Sequence, residues 1–269
     1  MKHTPYPVNF IYPENIHPKT YTLGGGQISE PDLNTDGDWR DSLPVIEDQN
    51  KFGVESSACY IEAQQHAVAT VQNAIFGLNL NHAARFNALL SNGTSYGGDP
   101  IAGAESIRTD GLIPDTAMPF EDSIASWEEY HSWEGVNEAL CRKLGKDFLN
   151  EWELKYHVVF ERWETIETKY KKLKDSLRKG PVCVSVYAWV EVDGLYVKPE
   201  GASDTHLTEI TYLDSDGCAY TRDTYDPYEK KIAPNTNFDF AIQWFVKKRT
   251  VKKTNWFINL IIKIWQSLK

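Results

Sequence analysis

From Cys59 onward, Ala63, Ala67, Val71, Ala74 and Ile75 recur at the spacing of one helix face, and Gly77 supplies a stop. The pattern predicts a helix that begins at or just before Cys59. The following run, SNGTSYGGDPIAGAESIRTDGLIPDTAMPF, reads as a glycine-rich loop, a short helix over 101–109 and a loop to Pro119. Helical periods return over 134–153 and 164–178, on either side of LKYHVVFERW, whose alternation predicts a strand; the dense charge of this region reads as solvated helix faces. The pattern then changes. PVCVSVYAWV, HLTEITYL and CAYTRDTY are strand-like, and LDSDG between the last two has the residues of a hairpin turn. Helices first and strands afterwards predict an α+β chain of two lobes rather than a βαβ sheet.

Two ends stand outside this pattern. Residues 1–37 are rich in Pro, Gly, Asn and Asp without a period, and read as an extended arm over the surface. Residues 241–269 read as a basic tail. On a helix Trp256, Phe257, Leu260, Ile261, Ile264 and Leu268 would share a face, preceded by Lys247, Lys248, Arg249, Lys252 and Lys253. The apolar run within 247–269 is too short to span a bilayer; a peripheral membrane contact, a partner subunit or the rest of the chain are the three surfaces such a face could meet.

Composition narrows the classes. With 41% hydrophobic and 13% aromatic residues, 269 residues can bury a sizeable core, and a formal charge of −10 argues against a nucleic-acid partner, which needs a basic face. No apolar run follows the opening MKHTPYPVNFIYPENIHPK, so neither a secretory signal nor an anchor is expected at that end. Cys59, Cys141, Cys183 and Cys218 are far apart and form no CxxC, which predicts free thiols in a reducing compartment, cytoplasmic or within an assembly such as a virion. The seven histidines make no HExxH, so no metal and no cofactor are expected. The pairs Glu161 with Glu164 and Asp36 with Asp38 read as solvated acids rather than glycosidase carboxylates.

Cys59 is the candidate nucleophile. A helix N-terminus beside an imidazole lowers a thiol pKa by favouring the thiolate. Such a site also needs a histidine, a group orienting it and a donor for an oxyanion. Cys141 on a helix and Cys183 in a strand read as small buried hydrophobes, and His66 as structural.

DWRDSLPVIEDQ (38–49) followed by SSACY (56–60) resembles the papain-like cysteine peptidases, whose signature is C-G-[SA]-C-[WY]. Ala58, Cys59 and Tyr60 match its last three positions, while Ser56 and Ser57 stand where that family has Cys and Gly. The family's histidine lies roughly 130–150 residues after the nucleophile, and His206 lies 147 residues after Cys59. SYGGDP (95–100) is similar to the family's glycine-rich cleft loop, LKDSLRKGPVCVSVYAW (173–189) to its Gly-Pro-Val strand, and DTHLTEITYLDSDGCAYTRDTYD (204–226) to its His strand, hairpin and Asn-Ser-Trp stretch.

The resemblance implies a papain-like fold over 38–240, with a helical left lobe over about 50–130, an antiparallel, barrel-like right lobe over about 131–240 and the cleft between them. It implies a cysteine peptidase acting on peptide or protein substrates, with Cys59 as nucleophile, His206 as base and Gln49 as oxyanion donor. Asp223 stands at the position of the orienting residue, with Asp226 the competing choice. Tyr96, Gly97, Gly98, Tyr60 and Tyr225 are implied to line the substrate cleft, Tyr225 as the aromatic that shields the histidine. Nine residues separate Gln49 from Cys59, more than in the family, and 37 residues leave no room for its long prodomain. These features are similar to compact microbial or viral relatives. An amidase or acyl-transferase on the same scaffold, and a catalytically silent binding or structural protein, are the alternative functions.

Overall fold

The computed structural model describes residues 2–3, 11 and 31–249. Most of the expected arm and the amphipathic face at 256–268 lie outside the described residues. In chain order the elements are β1 (Lys2–His3), β2 (Asn50–Lys51), β3 (Val54–Glu55), α1 (Cys59–Phe76), α2 (Ala84–Leu90), α3 (Pro100–Asp110), α4 (Trp127–Tyr130), α5 (Glu138–Glu151), β4 (Trp152–Glu161) and α6 (Ile166–Leu177). There follow β5 (Val182–Val186), β6 (Val190–Val192), β7 (Leu195–Val197), β8 (His206–Leu213), β9 (Ala219–Arg222), β10 (Glu229–Ile232) and β11 (Phe240–Lys248).

The result is the α+β, two-lobed architecture. Nine strands form one sheet in the order β1-β6-β7-β10-β9-β8-β5-β11-β4, antiparallel except where β10 meets β7, and the helices α1 to α5 make the other lobe. Between them runs α1, which packs on β8, β5 and β11 as well as on α2 and α3. Because it is covered on every side, residues 59–72 are all buried, including polar ones. Two of the glutamines among them find partners: Gln64 donates to the Tyr60 and Pro100 carbonyls and accepts from the Trp244 indole, and Gln65 donates to Asn87. Gly77 ends the helix in the left-handed conformation, its N–H returning to the Asn73 carbonyl.

On the other side of the sheet lies α6, so β5 is buried at all five positions and reads as a continuous apolar run rather than an alternating one. The LDSDG turn forms as its residues require: Asp214 Oδ1 accepts from the N–H groups of Asp216 and Cys218, and Gly217 has φ +82°.

Two boundaries differ from expectation. Residues 241–248, read as the start of a tail, belong to β11, an interior strand paired with β4 and β5. Its Phe240, Ile242 and Trp244 join the interlobe core, a burial that the lysines at its end conceal from a pattern count. The helical lobe also reaches past residue 130, since Cys141 and Leu144 of α5 pack with Phe86, Ile113 and Met118.

Candidate active site

The first residue of α1 is Cys59. Ala58 at the N-cap makes no side-chain hydrogen bond to the helix start. Across the lobe boundary, His206 opens β8 and Asp223 follows the adjacent strand β9. His206 Nε2 lies 2.9 Å from Asp223 Oδ2, with both side chains buried. The other ring nitrogen, Nδ1, is buried without a hydrogen-bond partner among the described residues. Cys59 meets this strand beside His206: α1 packs on β8, and Cys59 shares one core cluster with Leu207, the residue next to His206. Chain positions 59, 206 and 223 are thus brought together, while Asp226 is exposed and takes no part.

A lysine completes the constellation. Lys230 on β10 donates to Asp223 Oδ1 at 3.0 Å and to the carbonyls of Tyr225 and Pro227, and its ammonium lies over the Trp189 ring, 4.9 Å from the centroid. Burial would raise the Asp223 carboxyl, but Lys230 and then His206 outweigh it and hold it well below the ordinary carboxylate range. The Asp–Lys pair is together neutral, so His206 faces a partner closer to an amide than to a lone anion. Trp189, edge-on at 5.7 Å, and Tyr225, tilted at 5.2 Å between ring centroids, enclose the imidazole. Neither Lys230 nor Trp189 carries a sequence signal: both are single residues in strands or loops, joined to the site only by the sheet order.

Gln49 arrives beside the same group but with its hydrogen bonds committed. Its Nε2 donates to Glu55 Oε1 at 2.7 Å and to the Tyr225 hydroxyl at 2.5 Å, and its Oε1 accepts from Thr224. In this arrangement it is not an open oxyanion donor, because the hairpin within the nine residues between Gln49 and Cys59 places Glu55 against it. The thiol is closed off as well. Cys59 is 0% exposed, and burial pushes its pKa well above the ordinary thiol value, a rise that the Leu207 N–H opposes and the charges of Glu62, Glu55 and Asp223 reinforce. Its surroundings in this arrangement disfavour the expected thiolate.

The glycine-rich loop separates into roles. Tyr96 is 72% exposed, and Gly97 takes φ +95° between reciprocal Thr94–Gly97 backbone bonds. A side chain on Gly98 would overlap the Tyr60 ring. Tyr60, expected to line the cleft, is instead fully buried; its hydroxyl bonds Ser91 and the Ala88 carbonyl, so it supports the loop from beneath. Ser57, at the family's glycine position, has φ +55° and is held there by its N–H to Glu55 Oε1 and its hydroxyl to the Ser95 carbonyl. Two described points of the arm reach the margins of the site. Lys2–His3 pair with Val190–Glu191, directly after Trp189, and the Ile11 N–H donates to the Gly98 carbonyl at 3.3 Å.

Two lobes with a thiol at the head of the crossing helix and a histidine on the facing sheet define the papain-like fold. Among solved structures the chain is similar to the cysteine protease CMS1MS2 of Carica candamarcensis in complex with E-64, at 14% identity and a TM-score of 0.54, covering 79% of this chain and 98% of that one. It is similar also to the bromelain protease of Ananas comosus in complex with the E64 inhibitor, at 16% identity, a TM-score of 0.54, and 77% and 96% coverage. A third is digestive procathepsin L 3 of the Tenebrio molitor larval midgut, at 15%, 0.53, and 81% and 71%. No family model matches the sequence, and no curated protein matches it significantly. The likeness is one of fold.

Proposed function

We propose that the chain is a cysteine-type peptidase. The observation that carries the reading is His206, bonded through Nε2 to Asp223 and presenting a buried Nδ1, without a hydrogen-bond partner among the described residues, on the strand against which the helix of Cys59 packs. In this mechanism Nδ1 takes the thiol proton, the sulfur attacks a peptide carbonyl, and the histidine returns the proton to the leaving amine; water then hydrolyses the acyl-enzyme. The backbone N–H of Cys59 at the helix start would donate to the oxyanion, joined by Gln49 once its amide is released. The contact of Ile11 with Gly98 supports a peptide as the ligand, since it is main chain meeting main chain.

A second reading, a binding protein that keeps the fold without the chemistry, is favoured by one specific observation, the fully buried thiol. Digestion of a peptide library, with products read by mass spectrometry, separates the two. Cleavage is expected, abolished in Cys59→Ala and reduced by about 100-fold or more in His206→Ala. Identical product sets from all three proteins would overturn the peptidase reading.

A further inference from the structure

The insertion between Gln49 and Cys59 folds into a hairpin of its own. Strands β2 and β3 pair Asn50 with Glu55 and Lys51 with Val54, leaving Phe52 and Gly53 as a two-residue turn with φ +55° and +80°. Such a turn fixes the register, and the register aims Glu55 inward. Its carboxylate receives three donors that all belong to the site. Oε1 accepts from Gln49 Nε2 at 2.7 Å and from the Ser57 N–H at 2.9 Å, and Oε2 accepts from the Tyr225 hydroxyl at 2.9 Å. The Tyr225 hydroxyl also accepts from Gln49, which closes a ring of three side chains between the residue before the hairpin and the aromatic over His206.

Resting on the peptidase reading, we propose that Glu55 is a positioning residue that holds the site closed, committing one N–H of Gln49 directly and the other through the Tyr225 hydroxyl, so that Cys59 becomes competent when these contacts break. Charge and geometry act in the same direction. The Glu55 charge adds to the rise of the Cys59 thiol and so disfavours thiolate, and the amide that would receive the oxyanion is held by that same carboxylate. Among the described residues the groups acting on it include His206, Tyr225, Gln49, Ser57 and Cys59, with Glu62 on α1, and of these His206 can carry a compensating positive charge. Burial raises the Glu55 carboxyl and its three donors lower it in turn, so acid favours release.

The test is the pH dependence of Cys59 alkylation by iodoacetamide in the full chain, with the modified peptide identified by mass spectrometry, for the wild type, Glu55→Gln, Glu55→Asp and His206→Ala. Expected is labelling about 10-fold faster at pH 7 in Glu55→Gln, with its pH midpoint moved down by about one unit, and a smaller change in Glu55→Asp, which keeps the charge but retracts it. Should Glu55→Gln fail to fold, a midpoint for Glu55→Asp equal to that of the wild type overturns the proposal. Wild-type and Glu55→Gln profiles that coincide, while His206→Ala differs, overturn the role of Glu55 and leave the peptidase reading standing. Profiles indifferent to His206 in every protein overturn the peptidase reading itself, and the role of Glu55 falls with it.

Discussion

Asp223 and Lys230 show how two charges can be arranged to act as none. The carboxylate bonds His206 with one oxygen and Lys230 with the other, and both partners are almost wholly buried. Removing one member of such a pair leaves an uncompensated charge in the interior, whereas removing both replaces it with a neutral contact. Lys230→Met is therefore expected to cost about 3–5 kcal/mol in stability, and Lys230→Met with Asp223→Asn to recover most of it, as read by urea denaturation. The low Asp223 pKa also has a consequence for acid. Its folded value lies below the unfolded one, so its contribution is present above the ordinary carboxylate pKa of about 3.9 and is lost as pH falls toward the folded value.

Among the elements, the loop carrying Gly97 and Gly98 depends on what lies under it. Tyr60 fills the space beneath Gly98 and also crowds Gly93 and Gly103, so a single buried ring on α1 sets the height of the loop. The segment joins the first helix turn to the cleft wall, and its position relative to Cys59 is fixed by packing. Gly98→Ala must displace either a fully buried tyrosine or the loop, an overpacking expected to cost about 1–3 kcal/mol. Thermal unfolding of Gly98→Ala against Gly53→Ala is the check, because Gly53 has open space for a side-chain carbon and pays only its backbone preference.

For the whole molecule, the interface of α1 with the sheet holds ionisable groups kept neutral. Burial pushes His66 down to about 3 and Glu209 up to about 8; Thr70 on α1 donates to Glu209 on β8 at 3.0 Å. The unfolded chain binds a proton at His66 that the folded chain does not between about pH 3 and 6.5, so stability rises with pH across that range. Glu209 acts in the opposite sense. The folded state keeps a proton that the unfolded state has lost above about pH 4.5, so its contribution is complete below that value and declines as pH rises to about 8. Between pH 6.5 and 8 only the second slope remains of these two, and the wild type is expected to lose up to about 2 kcal/mol there. Glu209→Gln should flatten that limb in denaturation curves taken at several pH values.

The helices at 59–76, 100–110 and 166–177, the strand at 206–213 and the LDSDG turn were legible because each rests on a local period or a local turn chemistry. Cys59, His206 and Asp223 were legible as candidates, through the helix start and a motif in chain order. β11 was not, since an interior strand buried by its neighbours ends in the same lysines that begin an exposed tail. Tyr60 was misplaced for a related reason: its neighbour Cys59 faces the sheet, while one residue further round the helix points under the loop. Lys230, Trp189 and Glu55 become part of the site only when β10, β6 and the β2–β3 hairpin are brought against it. The sequence by itself determined the elements that carry a local period and the order of the candidate catalytic residues, because period, caps and turns act over a few residues. The tertiary structure alone decided which charges face one another and whether the thiol is open, because burial and Coulomb interactions depend on distance in space, not along the chain.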